Sequence, residues 1–302
     1  MTARSATIDT MIDIGPVGLW TGLLDAHPSS RVKELAVELE EMGWPCLWRP
    51  ETAGRDALVS CAQLLDATTR LKVATGIAQM HARHPVTTRN AQRTLHESSG
   101  GRFLLGLGVS HGPFIEGVRK LDYSTPYSDM VDYLAAMAEA PFMAVAAPDE
   151  PPTVLAALGP KMLRLAASAA QGAHPYFTPV EHTAFARETI GPDALLAPEQ
   201  MVVLETDRTV ATEIARKHMS RYLTLPNYTN NLRRFGFEDD DIDGPSERLI
   251  DAIVVRGTTD DVVARVREHH DAGANHVCIQ VLTPGTELPM QAWRDLASAF
   301  SL

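Results

Sequence analysis

Residues 100–111 read Gly-Gly-Arg-Phe-Leu-Leu-Gly-Leu-Gly-Val-Ser-His. From Phe103 to Val109 the run is apolar and interrupted only by glycine, the pattern of a strand buried on both faces. Such a strand belongs in a parallel sheet covered by helices, so the stretch places the chain in the α/β class.

The flanking sequence repeats the theme. Upstream, 14–20, 46–50 and Leu71 to Ile77 read as strands one to three. Between them, Val32, Leu35, Ala36, Leu39 and Met42 recur at helical spacing, and Gly43 follows where a helix end takes a left-handed residue. Asp56 is placed to cap a helix that buries Leu58, Cys61, Ala62 and Leu65, and Pro85 opens a helix to about Glu97. Downstream, Pro126 starts a helix carrying Met130, Val131, Leu134 and Met137. Residues 153–158, 172–177, 201–206 and 277–282 read as strands five to eight. Helices begin at Pro160 and cover 180–189, 259–272 and 290–300.

Eight strands alternating with helices predict a (β/α)8 TIM barrel. The competing doubly wound sheet usually carries a glycine-rich turn after its first strand, and Thr21-Gly22-Leu23-Leu24 is no such turn. The reach between strands seven and eight is far longer than one helix needs. It predicts a helical insertion over approximately 208–257 within a single domain of 1–302. The insertion holds Leu-Pro-Asn-Tyr-Thr-Asn-Asn-Leu-Arg-Arg-Phe-Gly-Phe at 225–237 and the acidic run from Glu238 to Asp241. It reads equally as a lid, a dimer contact or a plain structural excursion, and the acidic run as a solvated turn.

Composition excludes several classes. The 302 residues are 45% hydrophobic and 22% charged, which excludes a natively unfolded chain. With 27 Lys and Arg against 38 Asp and Glu, the net charge of −11 argues against a nucleic-acid partner. No apolar run is long enough to span a membrane. Asp9 and Asp13, with no apolar run before a cleavage site, argue against a signal peptide. Cys46, Cys61 and Cys278 are odd in number and form no CxxC pair, which disfavours a disulfide framework or a zinc site. A cytoplasmic, reduced protein is expected.

A barrel concentrates chemistry at the C-terminal ends of its strands. That rule selects Trp20, Glu51, Gly76 and Ile77 with His81 beyond, then Ser110 and His111, Leu158 to Lys161, and His174 with Tyr176. Each has a structural alternative. Glu51 could cap a loop, and His111 before Gly112-Pro113 could simply serve a turn. His81, His84 and His96 lack the spacing of a zinc protease, so no metal is expected. Ser110 lacks a G-x-S-x-G elbow. Gly159-Pro160-Lys161 sets a helix N-terminus directly after a strand, where free N–H groups and one cation can hold a phosphate.

At these residues the chain resembles the bacterial luciferase-like monooxygenase superfamily, and within it the deazaflavin (coenzyme F-420)-dependent oxidoreductases of actinobacterial type. The matching segments are Glu-Met-Gly-Trp-Pro-Cys-Leu-Trp-Arg-Pro-Glu at 41–51, Leu-Lys-Val-Ala-Thr-Gly-Ile at 71–77, and the run at 100–111. Ala-Ala-Leu-Gly-Pro-Lys-Met at 156–162 and Asp-Ala-Gly-Ala-Asn-His-Val at 271–277 complete them. The resemblance implies a barrel, usually a homodimer, with the cofactor ring in its mouth. It implies a cis peptide at Gly76-Ile77 backing the ring, Glu51 near the ring's polar edge, and Ser110 and His111 beside cofactor and substrate. Residues Leu158, Gly159, Pro160, Lys161 and Met162 would form the phosphate loop, and Trp20, His174 and Tyr176 would face the substrate. The sequence departs from close relatives at Gln79 and His81, where Asn and Trp are usual, and at Val118-Arg119-Lys120-Leu121, which replaces a glycine-containing stretch.

The function so implied is hydride transfer between F-420 and a small organic substrate. The acid–base partner should titrate near neutrality, which favours His111, with His81 and Glu51 as lesser candidates. Two alternatives stay open: an FMN-dependent monooxygenase of the same fold, and a deazaflavin-binding protein without catalysis. Arg83, Arg89, Arg93, Lys161 and Arg164 could offset the acidic balance around an anionic cofactor tail if they cluster.

Overall fold

The computed structural model describes residues 12–302. Asp9, part of the reading of the N-terminus, lies outside them. The first half alternates strand and helix: β1 (Val17–Trp20), α1 (Ser29–Glu41), β2 (Cys46–Arg49), α2 (Ala57–Ala67), β3 (Lys72–Thr75), β4 (Ala78–Gln79), α3 (Pro85–Ser98) and β5 (Phe103–Gly108). A short turn α4 (Gly112–Phe114) leads through a wide turn at Ile115–Arg119 to α5 (Pro126–Ala138). Then come β6 (Thr153–Leu155), α6 (Pro160–Ala169), β7 (Gly172–Ala173), α7 (Val180–Ile190), β8 (Leu195–Leu196) and β9 (Glu199–Val203). Four helices follow, α8 (Arg208–Met219), α9 (Pro226–Arg234), α10 (Asp239–Ile242) and α11 (Glu247–Ile253). The chain ends with β10 (Val254–Arg256), α12 (Thr259–Asp271), β11 (Val277–Val281) and α13 (Met290–Ala299).

Every strand pairing is parallel, in the order β10-β9-β11-β1-β2-β3-β5-β6-β7-β8. The β8 and β9 segments are consecutive in the chain, joined by Ala197-Pro198. Ala197 N–H reaches back to Ala173 O at 2.9 Å, while Cys278 N–H bonds Pro198 O at 2.9 Å on the other edge. The sheet therefore curves into a barrel-like wall.

Period-two alternation sorts the strand residues. Leu19, Leu47, Val73, Phe103, Leu105 and Ile279 pack outward in the main core with Leu35, Leu39, Cys61 and Leu64 from the helices. Trp20, Cys46, Trp48, Ala74, Leu104, Val154 and Cys278 form a second cluster on the inner face. A third cluster joins Met201, Val203, Leu249 and Ile253 to Tyr228 and Leu232 of α9, and so anchors the helices that follow β9. The three cysteines are free and buried. Asp56 caps α2, accepting from the N–H groups of Leu58 and Val59, and Gly43 closes α1 at φ +92°. No helix among the described residues is long and apolar enough to cross a membrane.

The strand expectations are corrected in four places. Strand seven, read as 201–206, starts six residues earlier and breaks at Pro198, which lacks the N–H a continuous ladder needs. Strand six, read as 172–177, is two residues long: His174 N–H still bonds Leu155 O, but Pro175 has no N–H to carry the ladder on. Val254–Arg256, unforeseen, pairs with Met201 to Val203.

Strand three, read as continuous from Leu71 to Ile77, is also two pieces. Ala74 pairs with Leu104 and Ala78 with Leu107, so three residues of one strand face two of the other. This is a bulge, a device that re-aims a strand beside a site. The Thr75 side chain fills the broken ladder: its hydroxyl donates to Gly106 O at 2.7 Å and accepts from Gly106 N–H at 2.9 Å. A Cβ on Gly106 would lie 1.9 Å from Thr75 O, a backbone atom that cannot swing aside. Gly106→Ala should therefore destabilise the protein by ~3 kcal/mol or more in urea unfolding. Gly117→Ala, whose Cβ meets nothing within 4 Å, should change stability little. Equal unfolding midpoints for the two variants would contradict this reading of the bulge.

Candidate active site

The C-terminal ends of the strands open on a cleft of about 1270 Å³. The bulge forms one wall, and its backbone groups are held from both sides. Gly76 N–H donates to Arg49 O at 2.7 Å, Glu51 N–H donates to Ile77 O at 3.1 Å, and the Trp20 indole N–H donates to Gly76 O at 3.0 Å. The Gly76-Ile77 peptide bond is cis. A Cβ on Gly76 would sit 2.5 Å from Trp20 Nε1 and 3.0 Å from His174 Nε2, so glycine is required where the wall meets those rings.

Behind this wall lies a polar brace. Arg83 grips both oxygens of the Glu51 carboxylate and also reaches Asp56. Gln79 N–H donates to Glu51 Oε2 at 2.8 Å, and the Gln79 amide donates to Glu51 O at 3.0 Å. Arg119 Nε donates to Gln79 Oε1 at 2.7 Å. Gln79 and the stretch 118–121, two places singled out in the sequence, thus meet in one hydrogen bond.

His174 is 1% exposed, stacked on Trp48 at 4.4 Å between centroids. Its Nδ1–H donates to Ala197 O at 2.7 Å, and its Nε2 has no partner. Burial pushes its pKa down to about 4, against the opposing carbonyl bond. Tyr176 packs on Trp20 at 5.1 Å, donates to Gln280 Oε1 at 2.9 Å and shares a 2.8 Å bond with the Tyr222 hydroxyl. Tyr222 and Tyr228, from the α8–α9 region, close the cleft from above with Phe177 beneath them. Glu199, buried nearby, accepts from Phe177 N–H at 3.4 Å, and burial pushes its carboxyl pKa well up.

Ser110 and His111 follow β5. Ser110 has φ +62°, a left-handed conformation a non-glycine residue adopts at a cost, and Tyr123 holds the turn by donating to Ser110 O at 2.8 Å. His111 lines the cleft with Nδ1 3.2 Å from Asn227 Oδ1. Burial lowers its pKa, opposed by that bond.

The cleft brings together Trp20, Glu51, Gly76, Ile77, Ser110, His111, Leu158, His174 and Tyr176. It does not include His81. That residue sits in the turn after β4 with its ring against Tyr123 at 5.8 Å and both nitrogens unpartnered. Burial lowers its pKa. Glu51 borders the cleft, but its carboxylate is consumed by Arg83 and backbone N–H groups, which leaves it a brace and not a free acid or base. Of the 158–162 stretch only Leu158 lines the cleft. Gly159, Pro160, Lys161 and Met162 start α6 to one side, where Arg234 of α9 approaches within 3.9 Å of a Cβ built on Gly159. Of the five cations that could offset the acidic balance by clustering, Arg83 pairs with Glu51 and Asp56, and Arg89 and Arg93 pair with Glu150.

Asn227, Tyr228, Tyr222, His218, Gln280 and Arg234 also meet at or beside the cleft and were not anticipated. Gln280 carried a signal: a polar residue near the C-terminal end of the apolar strand Val-Cys-Ile-Gln-Val. The others sit in the long segment after β9, where side-chain direction depends on how α8 and α9 fold back. Among the described residues no group of three or more His, Cys, Asp or Glu converges as a metal site.

A parallel α/β barrel-like sheet with an aromatic-walled cleft at its strand ends defines a ligand-binding enzyme scaffold. The chain belongs to the luciferase-like monooxygenase family, whose pattern matches residues 16–276. A putative coenzyme F-420-dependent oxidoreductase of Mycobacterium tuberculosis is 32% identical over 118 residues, 39% of this chain and 34% of that protein. The chain thus spans about a third of the length of the curated relatives it matches in this way. A 5,10-methylenetetrahydromethanopterin reductase of Archaeoglobus fulgidus is 23% identical over 79% of this chain and 85% of its own. In fold, the chain is similar to an F-420-dependent secondary alcohol dehydrogenase solved with an F-420–acetone adduct (TM-score 0.76, 15% identity, 94% of this chain and 98% of the other).

The buried histidines set the acid limit of the fold. Burial holds His174, His182 and His276 at about 4 and His269 at about 3. The unfolded chain takes up these protons near 6.5. Between those values it binds more protons than the folded chain, so stability is full above pH 6.5 and falls as the pH drops toward 4. Urea midpoints measured from pH 7 to 4.5 should fall steadily, and His276→Gln should flatten the fall. A midpoint independent of pH would contradict the burial of these rings as neutral species.

Proposed function

We propose that the protein is an oxidoreductase that uses coenzyme F-420 on a small organic substrate. The observation that carries this reading is the cleft floor. A glycine bulge pinned by Trp20, Arg49 and Glu51 lies beside His174 Nε2, a buried polar atom without a partner. The deazaflavin ring fits this wall: Gly76 and Ile77 would back it, Ser110 would lie at its edge, and Leu158 would flank it. The N–H groups at the start of α6, with Lys161 and Arg234, would hold its phosphate. The names of the M. tuberculosis relative and of the solved dehydrogenase support the same cofactor. Bound there, F-420 would supply hydride chemistry at the carbon that replaces a flavin nitrogen.

The chain's own part is to orient, exclude water and manage a proton. Trp20, His174 and Tyr176 form the substrate side, and the Tyr222–Tyr228 cover shields it. His111 lines the cleft, is held through Nδ1 by Asn227 and leaves Nε2 free, and an imidazole can both give and take a proton, so the proton is assigned to it. The helices between β9 and β10 are read as an insertion at residues 208–257 of a single domain, and the protein as a cytoplasmic homodimer.

Titration with F-420 and with FMN, each oxidised and reduced, tests the cofactor. Selective micromolar binding of F-420 is expected; selective binding of reduced FMN would overturn the assignment. With a substrate in hand, His111→Ala should lower kcat ~100-fold and leave the F-420 dissociation constant unchanged. Unchanged turnover would remove His111 from the chemistry.

A further inference from the structure

We infer that Asn227, a residue of α9, fixes the tautomer of His111, so that the imidazole meets the cleft with an unprotonated Nε2 and selects ligands that present an O–H or N–H donor. The inference deepens the proposed role of His111 and rests on that reading for its consequence in turnover.

The argument starts from the hydrogen-bond inventory. Asn227 Oδ1 lies 3.2 Å from His111 Nδ1. An amide oxygen only accepts, so the nitrogen facing it must carry the proton. A neutral imidazole has one N–H, so Nε2 keeps its lone pair. Among the described residues no other side chain bonds the His111 ring. The groups that face it are few. From α9 comes the Tyr228 ring, with centroids 5.3 Å apart. From the segment before α5 comes Tyr123, bonded to the neighbouring Ser110 O. Glu116 comes within 3.9 Å of a Cβ built on the adjacent Gly112, and Glu213, Lys217 and Arg221 line the same cleft; burial lowers the imidazole's pKa and the Asn227 bond opposes it.

Both partners are placed by backbone. His111 O accepts from the N–H groups of Phe114 and Ile115, each at 3.0 Å, which fixes the turn that carries the ring. Asn227 follows Pro226 in the first turn of α9. That helix is anchored by Tyr228, Thr229, Asn231 and Leu232, all buried, and its start is tied by Leu225 N–H to Tyr222 O at 3.0 Å. The segment that the sequence left open between lid, dimer contact and excursion thus reaches over the cleft and touches the proton-handling side chain. Asn227 is a positioning residue: it acts through His111.

The chemical consequence is selection by donor. An alcohol or amine can direct its proton at Nε2. A bare carbonyl oxygen would meet lone pair against lone pair, an arrangement that costs binding.

The first test needs no cofactor. Nitrogen-15 NMR of labelled histidine in the free protein should show His111 in the Nδ1–H form. Asn227→Asp keeps an acceptor and adds a negative charge, so the His111 pKa should rise by about one unit with the tautomer unchanged. Asn227→Ala should let the tautomers mix. In turnover, Asn227→Asp should move the acidic limb of the pH profile upward by the same shift, and Asn227→Ala should lower kcat and raise KM for a donor-bearing substrate. An Nε2–H tautomer in the parent protein, or an unmoved pKa in Asn227→Asp, would overturn the inference. Failure to bind F-420 would sink the cofactor reading instead, because the ring spectra decide the tautomer on their own.

Discussion

The structure turns on an unmatched residue count. Between two register-locked pairs, the third strand spends three residues where its neighbour spends two. Buried backbone groups cannot go unpaired without a cost of a few kcal/mol, so the surplus must be tied off by other means. The Thr75 hydroxyl replaces the missing ladder on one side, and Arg49, Glu51 and Trp20 hold Gly76 and Ile77 on the other. Each tie recruits a residue at the C-terminal end of β1, β2, β3 or β5. The wall of the cleft and the positions of Trp20 and Glu51 therefore follow from one local solution to a hydrogen-bonding problem, while His174 is held against the wall by Ala197 O and the Trp48 ring.

The brace behind that wall explains the departures at Gln79 and Arg119. Arg83 and two backbone N–H groups occupy the Glu51 carboxylate. Gln79 bonds the Glu51 carbonyl and receives Arg119, tying the turn after β5 to the bulge. One hydrogen bond thus joins the two ends of the brace. It leaves the apolar front of the wall, formed by Gly76, Ile77 and Trp20, as the surface a ligand meets.

The regular part of this architecture was legible in the sequence. Strands one, two, four and eight, the cap at Asp56 and the left-handed Gly43 follow from periodicity and local backbone chemistry. So do the strand-end residues Trp20, Ser110, His111 and Tyr176, because a parallel barrel fixes which end of a strand faces the cleft. What escaped depends on contacts distant in sequence. Pro198 splits a strand whose two halves pair with different neighbours. The short β10 follows α11 with no intervening turn residue to mark it. His81 follows a strand end yet turns toward Tyr123, because the turn after the bulge points it away from the cleft. Asn227 and Tyr228 carry no motif; they matter because α9 packs its buried face on Phe177 and Leu249 and so brings its first turn to His111.

The central claim is that the Gly76-Ile77 bulge is the backing of a deazaflavin site. A crystal structure of the protein grown with F-420 tests it most directly. The account predicts the tricyclic ring lying against Gly76 and Ile77, with the phosphate at the start of α6 near Arg234. A ring bound elsewhere in the cleft, or a phosphate away from α6, would contradict it.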